Sequence, residues 1–106
     1  MKQPEVREHW ERLAKSHGIA LAATTKTSTI KRLEVAALER ALRAAGLTEG
    51  AVLEAGCGNG WHCTALSERI PGVRFTGFDY VSAMVENARE LAAGNDRVRF
   101  EIGDLL

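Results

Sequence analysis

The sequence contains little of what several classes of protein require. Its 106 residues include two cysteines, two prolines and one tyrosine, and 14 basic residues are balanced by 14 acidic ones. A chain without net charge lacks the basic footprint of a nucleic-acid-binding domain. It has no apolar run of membrane-spanning length and no signal-peptide pattern at its polar start. We therefore expect a cytoplasmic protein that binds neither nucleic acid nor a membrane.

Two cysteines are too few to predict a disulfide framework or a zinc site from this sequence. Cys57 and Cys63 flank one short segment, and in a reducing compartment we expect them as free thiols rather than as a disulfide. A zinc site would need more ligands at better spacing, so no metal is expected. Cys57 is interpreted as a small apolar residue that packs behind the segment.

Three glycines, in contrast, are clustered at the end of a predicted strand. Residues 52–60 read Val-Leu-Glu-Ala-Gly-Cys-Gly-Asn-Gly, so an apolar strand runs into Gly56, Gly58 and Gly60. Glycine allows positive φ and lets a ligand approach the backbone closely. A helix beginning near Trp61 would present its free N–H groups to an anionic ligand group. The pattern predicts a strand, a tight turn and a helix that together bind a nucleotide-type cofactor; the alternative is a turn without a ligand.

The glycine spacing argues against a dinucleotide. The dinucleotide fingerprint G-x-G-x-x-G places a third glycine where helix and strand pack closely beneath the pyrophosphate. Counted from Gly56, that position is Trp61, whose indole would prevent such packing.

A carboxylate follows at the distance expected for a ribose ligand. Residues 73–78 alternate in polarity after the turn signal Pro71-Gly72, and Asp79 ends this predicted strand roughly 20 residues beyond the glycines. A carboxylate can accept hydrogen bonds from two vicinal hydroxyls at once. Asp79 could also simply cap a helix that starts near Ser82.

A third strand is predicted over residues 97–102, where charged and apolar residues alternate after the turn Asn95-Asp96. Gly103-Asp104 follows it directly. The three segments thus occur in order over residues 51–106, each ending in residues suited to a ligand.

These motifs resemble those of class I S-adenosylmethionine-dependent methyltransferases that act on small molecules. The resemblance implies an α/β, Rossmann-like doubly wound sheet and S-adenosylmethionine as cofactor. It places Glu54 and the glycine turn at the aminoacid end of the cofactor and Asp79 at both ribose hydroxyls. Asp104 and the Leu105 N–H would meet the adenine edge, and Tyr80 and Met84 its faces, although Met84 could equally be plain core. The implied cofactor-binding residues are Glu54, Gly56, Cys57, Gly58, Asn59, Gly60, Asp79, Tyr80, Met84, Asp104 and Leu105.

The first part of the chain, residues 1–46, is predicted to be helical. One amphipathic helix spans residues 4–16, and a second spans residues 30–45 before Gly46. A stripe of the second helix is expected to be buried: Leu33, Ala37, Leu38, Ala41 and Leu42. By resemblance the segment is a lid over the cofactor, with contacts from Trp10, Thr25 and Lys26. The alternative for the hydroxyl-rich loop is a polar connector in which Thr27 or Ser28 caps the second helix.

His62 follows the glycine turn directly. It could touch the cofactor, or it could be an exposed residue of the first helical turn, and the sequence leaves both interpretations open.

The resembled fold has seven strands in the order 3-2-1-4-5-7-6, of which residues 47–106 account for the first three, in the order 3-2-1. The catalytic residues therefore remain unknown. We expect the chain to supply the cofactor-binding half, to self-associate through the open edge of its first strand, and to be inactive alone.

The expected function is S-adenosylmethionine-dependent methyl transfer to a small-molecule acceptor. Two alternatives are a non-catalytic truncated module that binds the cofactor or a partner chain, and a fragment of a nicotinamide-dependent oxidoreductase. Trp61 and Gly103-Asp104 count against the oxidoreductase.

Overall fold

The computed structural model describes residues 3–17 and 28–104, and its centre is one parallel sheet. The elements in chain order are α1 Gln3–His17, α2 Ser28–Ala44, β1 Gly50–Ala55, α3 Trp61–Arg69, β2 Val73–Asp79, α4 Ser82–Leu91 and β3 Val98–Ile102. None of the helices within these ranges is long and apolar enough to cross a membrane. Each strand of the sheet is followed or preceded by a helix, as parallel pairing requires.

The strand order is β1-β2-β3, so β2 is the central strand and the predicted order is confirmed. Val52 of β1 lies opposite Phe75, and Phe75 lies opposite Val98 of β3. With this register the three strands end at the same edge of the sheet. The residues that follow β1, β2 and β3 are therefore neighbours in space, although they are about 20 residues apart in the chain.

The main core lies between the sheet and the helices α3 and α4. Alternate residues of β2 point into it, and both Val73 and Phe75 are at most 1% exposed. Further buried apolar side chains of this core come from both helices and β3, among them Cys63, Leu66, Val85, Ala88, Val98 and Phe100. Burial of each large apolar side chain contributes about 1.5–3 kcal/mol, so this core fixes the direction in which the strand ends point.

A smaller core joins α1 to α4. Ala14 is 2% exposed and packs with Val81 and Met84, and Trp10 and Leu13 cover the same cluster. The amide of Asn87 on α4 donates a hydrogen bond of 3.0 Å to the carbonyl of Ala14, which lies in the last turn of α1. This bond satisfies a carbonyl that the helix end leaves without a partner. The predicted amphipathic α1 is thus held against the element that follows Asp79.

The predicted buried stripe of α2 is wrong in part. Leu33 is 65% exposed, Leu38 39%, and Ala37 and Ala41 are also exposed. The buried residues of α2 are instead Lys31 and Val35, and Leu42 packs beside Val35. Residues 31, 35, 38 and 42 share one helical face. Apolar residues occupy two faces of this helix, and the face with the lysine is the one that contacts the rest of the protein.

The free edge of β1 predicts self-association. Within the described residues β1 pairs only with β2, and its Leu53 side chain is 66% exposed. Lys on an edge strand disfavours pairing with another chain. We expect the chain to form dimers or larger species in light scattering and Leu53→Lys to shift it towards the monomer.

The matched control is Ile102→Lys, since Ile102 is 58% exposed on the opposite edge strand, β3. A monomer at high concentration before any substitution, or an equal effect of both substitutions, would contradict the prediction.

Candidate functional site

The glycine turn has the backbone conformation that its sequence predicts. Gly56, Gly58 and Gly60 have φ values of 69°, 56° and 82°, all in the left-handed region. The Gly60 N–H donates to the carbonyl of Cys57 at 3.0 Å, and α3 begins directly after it. The turn therefore leaves β1 sharply and delivers the start of α3 to the edge where the strands end.

Gly56 and Gly60 are required for different structural reasons. A Cβ on Gly60 would lie 2.6 Å from Phe100 Cζ and 2.9 Å from Ala88 Cβ, so close packing on the core requires glycine there. A Cβ on Gly56 would meet no atom within 4 Å, so only its φ favours glycine. The Gly60 end of the turn is pressed against the core, and the Gly56 end borders open space.

Asp79 connects the turn to the next helix. Its Oδ2 accepts a hydrogen bond from the Gly58 N–H at 3.0 Å, and its Oδ1 accepts one from the Val81 N–H at 2.9 Å. The residue is 9% exposed. Each carboxylate oxygen has two lone pairs, so both oxygens can still accept a further hydrogen bond from a ligand. The bond to Val81 supports the residue before α4, but α4 has no side-chain cap hydrogen bond, so the interpretation of Asp79 as a helix cap is wrong. The ribose interpretation stays compatible with the geometry, because the carboxylate has acceptors left.

A cleft of about 310 Å³ opens beside this arrangement. It is lined by Trp10, Lys31, Gly56, Cys57, Gly58, His62, Asp79, Tyr80 and Met84. Six of the predicted cofactor-binding residues and the expected lid residue Trp10 therefore meet in one place. The cleft lies between α1, α2 and the carboxyl ends of the strands, where doubly wound folds form ligand sites.

Tyr80 and Met84 form one end of the cleft. The Tyr80 hydroxyl is buried and has no hydrogen-bond partner within the described part of the chain, and the guanidinium of Arg7 lies 5.2 Å from the ring centroid. Met84 is 1% exposed, and it belongs to the smaller core as well as to the cleft wall.

Other predicted residues lie elsewhere. Glu54 borders a neighbouring apolar cavity with Leu38 and Phe75, Asn59 is fully buried, and Gly60 lies beneath the turn against Phe100. Asp104 is exposed beyond β3, at the same sheet edge but not in the cleft lining. Thr25, Lys26 and Leu105 fall outside the described residues.

His62 joins α2 to β1. Its Nδ1 lies 2.8 Å from Glu54 Oε2, and its Nε2 lies 2.9 Å from Glu34 Oε2. Two carboxylate partners require two N–H donors, which only the protonated imidazole has. The hydrogen bond to Glu54 is the main cause that raises the pKa of His62 above its ordinary value of 6.5, against the opposing effects of burial and of Lys31. His62 is thus a charged link between two carboxylates.

The two thiols are free, buried and protonated. Burial, followed by the charges of Asp79 and Glu54, raises the pKa of Cys57 to about 12. Burial likewise raises the pKa of Cys63, whose Sγ lies 3.4 Å from Glu54 Oε1. Neither cysteine carries the thiolate that a nucleophile would need near neutral pH.

Lys31 is the cleft residue that the sequence interpretation missed. It is 8% exposed although it carries a charged side chain. The signal was present in its spacing, since it lies four residues before Val35 and eleven before Leu42, on the face that packs. A lysine at that spacing does not predict a covered position, because lysine is rarely buried.

A profile of the methyltransferase-domain family matches residues 52–106, which are just over half of the chain. The chain belongs to this methyltransferase family. The prediction made from the glycine turn, Asp79 and Gly103-Asp104 is therefore confirmed at the level of the family. No curated protein sequence matches the chain significantly.

Solved methyltransferase structures share the fold. An amino pentose methyltransferase of calicheamicin biosynthesis from Micromonospora echinaspora, with bound S-adenosylmethionine, is 32% identical over 67% of this chain and 28% of its own, with a TM-score of 0.56. A protein of echinomycin biosynthesis, described for converting a disulfide bond into a thioacetal group, is 37% identical over 63% of this chain and 28% of its own, with a TM-score of 0.51.

The magnesium protoporphyrin IX methyltransferase from Synechocystis PCC 6803, with bound S-adenosylmethionine, is 21% identical over 96% of this chain and 54% of its own, with a TM-score of 0.69. At that identity the likeness shows the fold alone. The chain thus spans between about a quarter and about half of the length of these methyltransferases.

The geometry of the methyltransferase glycine turn predicts unequal costs for two alanine substitutions. Gly56→Ala should cost about 1–2 kcal/mol, the strain of a left-handed alanine. Gly60→Ala should cost about 1–3 kcal/mol more, because its Cβ overlaps Phe100. Urea unfolding of both variants measures the difference, and equal losses would mean that Gly60 is not pressed against the core.

The His62 link predicts a pH-dependent contribution to stability. Because its folded-state pKa is raised above 6.5, the link stabilises the fold fully below that pH and is lost as the pH rises through the folded-state pKa. The difference in free energy of unfolding between the unaltered chain and His62→Gln should therefore be largest in acid and shrink in alkali. Glu34→Gln should remove only a small part of this pH-dependent difference, since the hydrogen bond to Glu34 contributes least to the raised pKa of His62. A difference independent of pH would contradict the charged link.

Proposed function

We propose that the chain binds S-adenosylmethionine in the cleft beside the glycine turn and serves methyl transfer to a small-molecule acceptor. The observation that carries the proposal is the pairing of Gly58 with Asp79, which places a carboxylate and a tight backbone turn at the shared edge of the strands. The cleft of about 310 Å³ has the concave form of a small-molecule site.

The residues in the cleft suit the parts of the cofactor. Asp79 can accept hydrogen bonds from the ribose hydroxyls while it still holds Gly58 and Val81. The Gly56 end of the turn borders open space, so the aminoacid end can approach its backbone. Tyr80, whose buried hydroxyl has no hydrogen-bond partner among the described residues, and Met84 form the end of the cleft suited to adenine. Asp104 and Leu105 are proposed for the adenine edge.

The remaining predicted residues lie in or beneath the glycine turn, or cover the cleft from outside it. Cys57 lines the cleft, while Gly60 and Asn59 are buried beneath it. Glu54 is proposed at the aminoacid end, although in the free protein its carboxylate bonds His62 and Cys63 and borders the neighbouring cavity rather than the cleft. Trp10 covers the opening from α1, and Thr25 and Lys26 are proposed to close it.

The comparisons support the cofactor. Among the solved relatives, the amino pentose methyltransferase, which is 32% identical, contains bound S-adenosylmethionine. The relatives of calicheamicin and echinomycin biosynthesis favour a small-molecule acceptor. Because the chain spans only part of their length, acceptor binding and turnover are proposed for a larger assembly to which this chain contributes the cofactor half.

The cofactor supplies an electrophilic methyl group when bound. The part of this chain in the reaction is to orient the cofactor and to exclude water from one side of it. Cys57 and Cys63 remain protonated and take no covalent role.

Cofactor choice can be tested by isothermal titration. S-adenosylhomocysteine and S-adenosylmethionine should bind, and NAD should not, because Trp61 occupies the position of the third dinucleotide glycine. Binding of NAD without binding of S-adenosylhomocysteine would overturn the proposal.

Asp79→Ala should weaken the binding of S-adenosylhomocysteine by about 1.5–3 kcal/mol, the usual contribution of hydrogen bonds to a charged group. Asp96→Ala is the matched control, since Asp96 is exposed in the turn before β3. The Tm of both variants should be measured as well, because Asp79 also holds Gly58 and Val81. Unchanged affinity in Asp79→Ala would mean that the ribose is bound elsewhere.

A further inference from the structure

Lys31 is a largely covered cation that lines the cleft. Its side chain is 8% exposed, and no hydrogen bond or ion pair within the described residues involves it. The nearby carboxylates of Glu34 and Glu54 are both bonded to His62 instead. A lysine covered to this extent is normally paired with an acidic group, so a ligand carboxylate would suit its ammonium.

The position of Lys31 in α2 strengthens the positive potential around it. α2 begins at Ser28, so Lys31 lies in its first turn, where the helix dipole is positive. No acidic residue occupies that turn. The lysine and the helix end therefore add to one positive potential. The charge of Lys31 is also close enough to oppose the protonation of His62.

This positive potential faces the cleft. Lys31 lines the cleft with Gly56, Gly58 and Asp79, and it is the only Lys or Arg among the described lining residues. It also borders the neighbouring groove between α2 and α3, where Glu68 lies, but it forms no ion pair with Glu68 in the described structure. The cleft thus combines two cations, Lys31 and His62, with one carboxylate, Asp79, at the end of β2. His62 is already bonded to Glu34 and Glu54, so Lys31 is the cation available to a ligand.

We propose that Lys31 binds the carboxylate at the aminoacid end of the cofactor, which makes α2 part of the cofactor site. This inference rests on the proposed function. A ligand with hydroxyls at one end and a carboxylate at the other fits Asp79 and Lys31 together. An ammonium–carboxylate bond would supply the ion-pair partner that Lys31 lacks among the described residues.

Two ligands that differ only at that end test the inference. S-adenosylhomocysteine carries the aminoacid group, and methylthioadenosine has the same adenosine and sulfur without it. Titration of the unaltered chain and of Lys31→Met with both ligands should show a selective effect. We expect affinity for S-adenosylhomocysteine to fall roughly 10- to 100-fold and affinity for methylthioadenosine to change less than about twofold.

A second readout is the Tm of the ligand-free protein. Methionine fills a similar volume without a charge, so Lys31→Met should keep or raise the Tm. Arg40→Met is the matched control, since Arg40 is exposed on the same helix; it should leave the affinities for both ligands unchanged.

Three results would overturn the inference: equal losses for both ligands, unchanged affinity for S-adenosylhomocysteine, or a lower Tm in Lys31→Met. Failure of the proposed function looks different, because then neither ligand would bind the unaltered chain.

Discussion

The whole site depends on the carboxylate and carbonyl of Asp79. Its Oδ2 holds Gly58, its Oδ1 holds Val81, and its backbone carbonyl accepts the Gly103 N–H at 2.9 Å. One residue thus fixes the glycine turn after β1, the start of α4 and the segment after β3. The two bonds to the charged carboxylate contribute about 1.5–3 kcal/mol each, and the backbone bond from Gly103 contributes about 0.5–1.5 kcal/mol. Together they hold the three segments before a ligand binds. The site is therefore organised in the free protein.

The core explains why Asp79 lies in that position. Val73 and Phe75 anchor the central strand, and a Cβ on Gly77 would lie 2.6 Å from Cys57 Cβ. Strand and turn consequently pack against one another directly. A methyl group at either glycine of this contact, Gly60 or Gly77, would push the turn away from the sheet. Close packing of the turn is thus a property of the fold as well as of the site.

Much of the fold could be predicted because its signals are local. The glycines with positive φ, the alternation in β2 and the turn at Asn95 each determine their own conformation. The packed face of α2 could not be predicted in the same way, since two faces of that helix carry apolar residues and long-range contacts choose between them. For the same reason Lys31 was missed, and His62 was read as either a ligand contact or an exposed residue. Its two carboxylate partners lie 8 and 28 residues away.

Asp79 is proposed to hold the glycine turn and the ligand at the same time. The most direct measurement is the change in the backbone amide NMR signals of Gly58 and Val81 during titration with S-adenosylhomocysteine. We predict that both signals shift together and saturate at one ligand concentration, because both amides donate to the carboxylate that the ribose would reach. Saturable shifts confined to residues away from Asp79 would contradict the account.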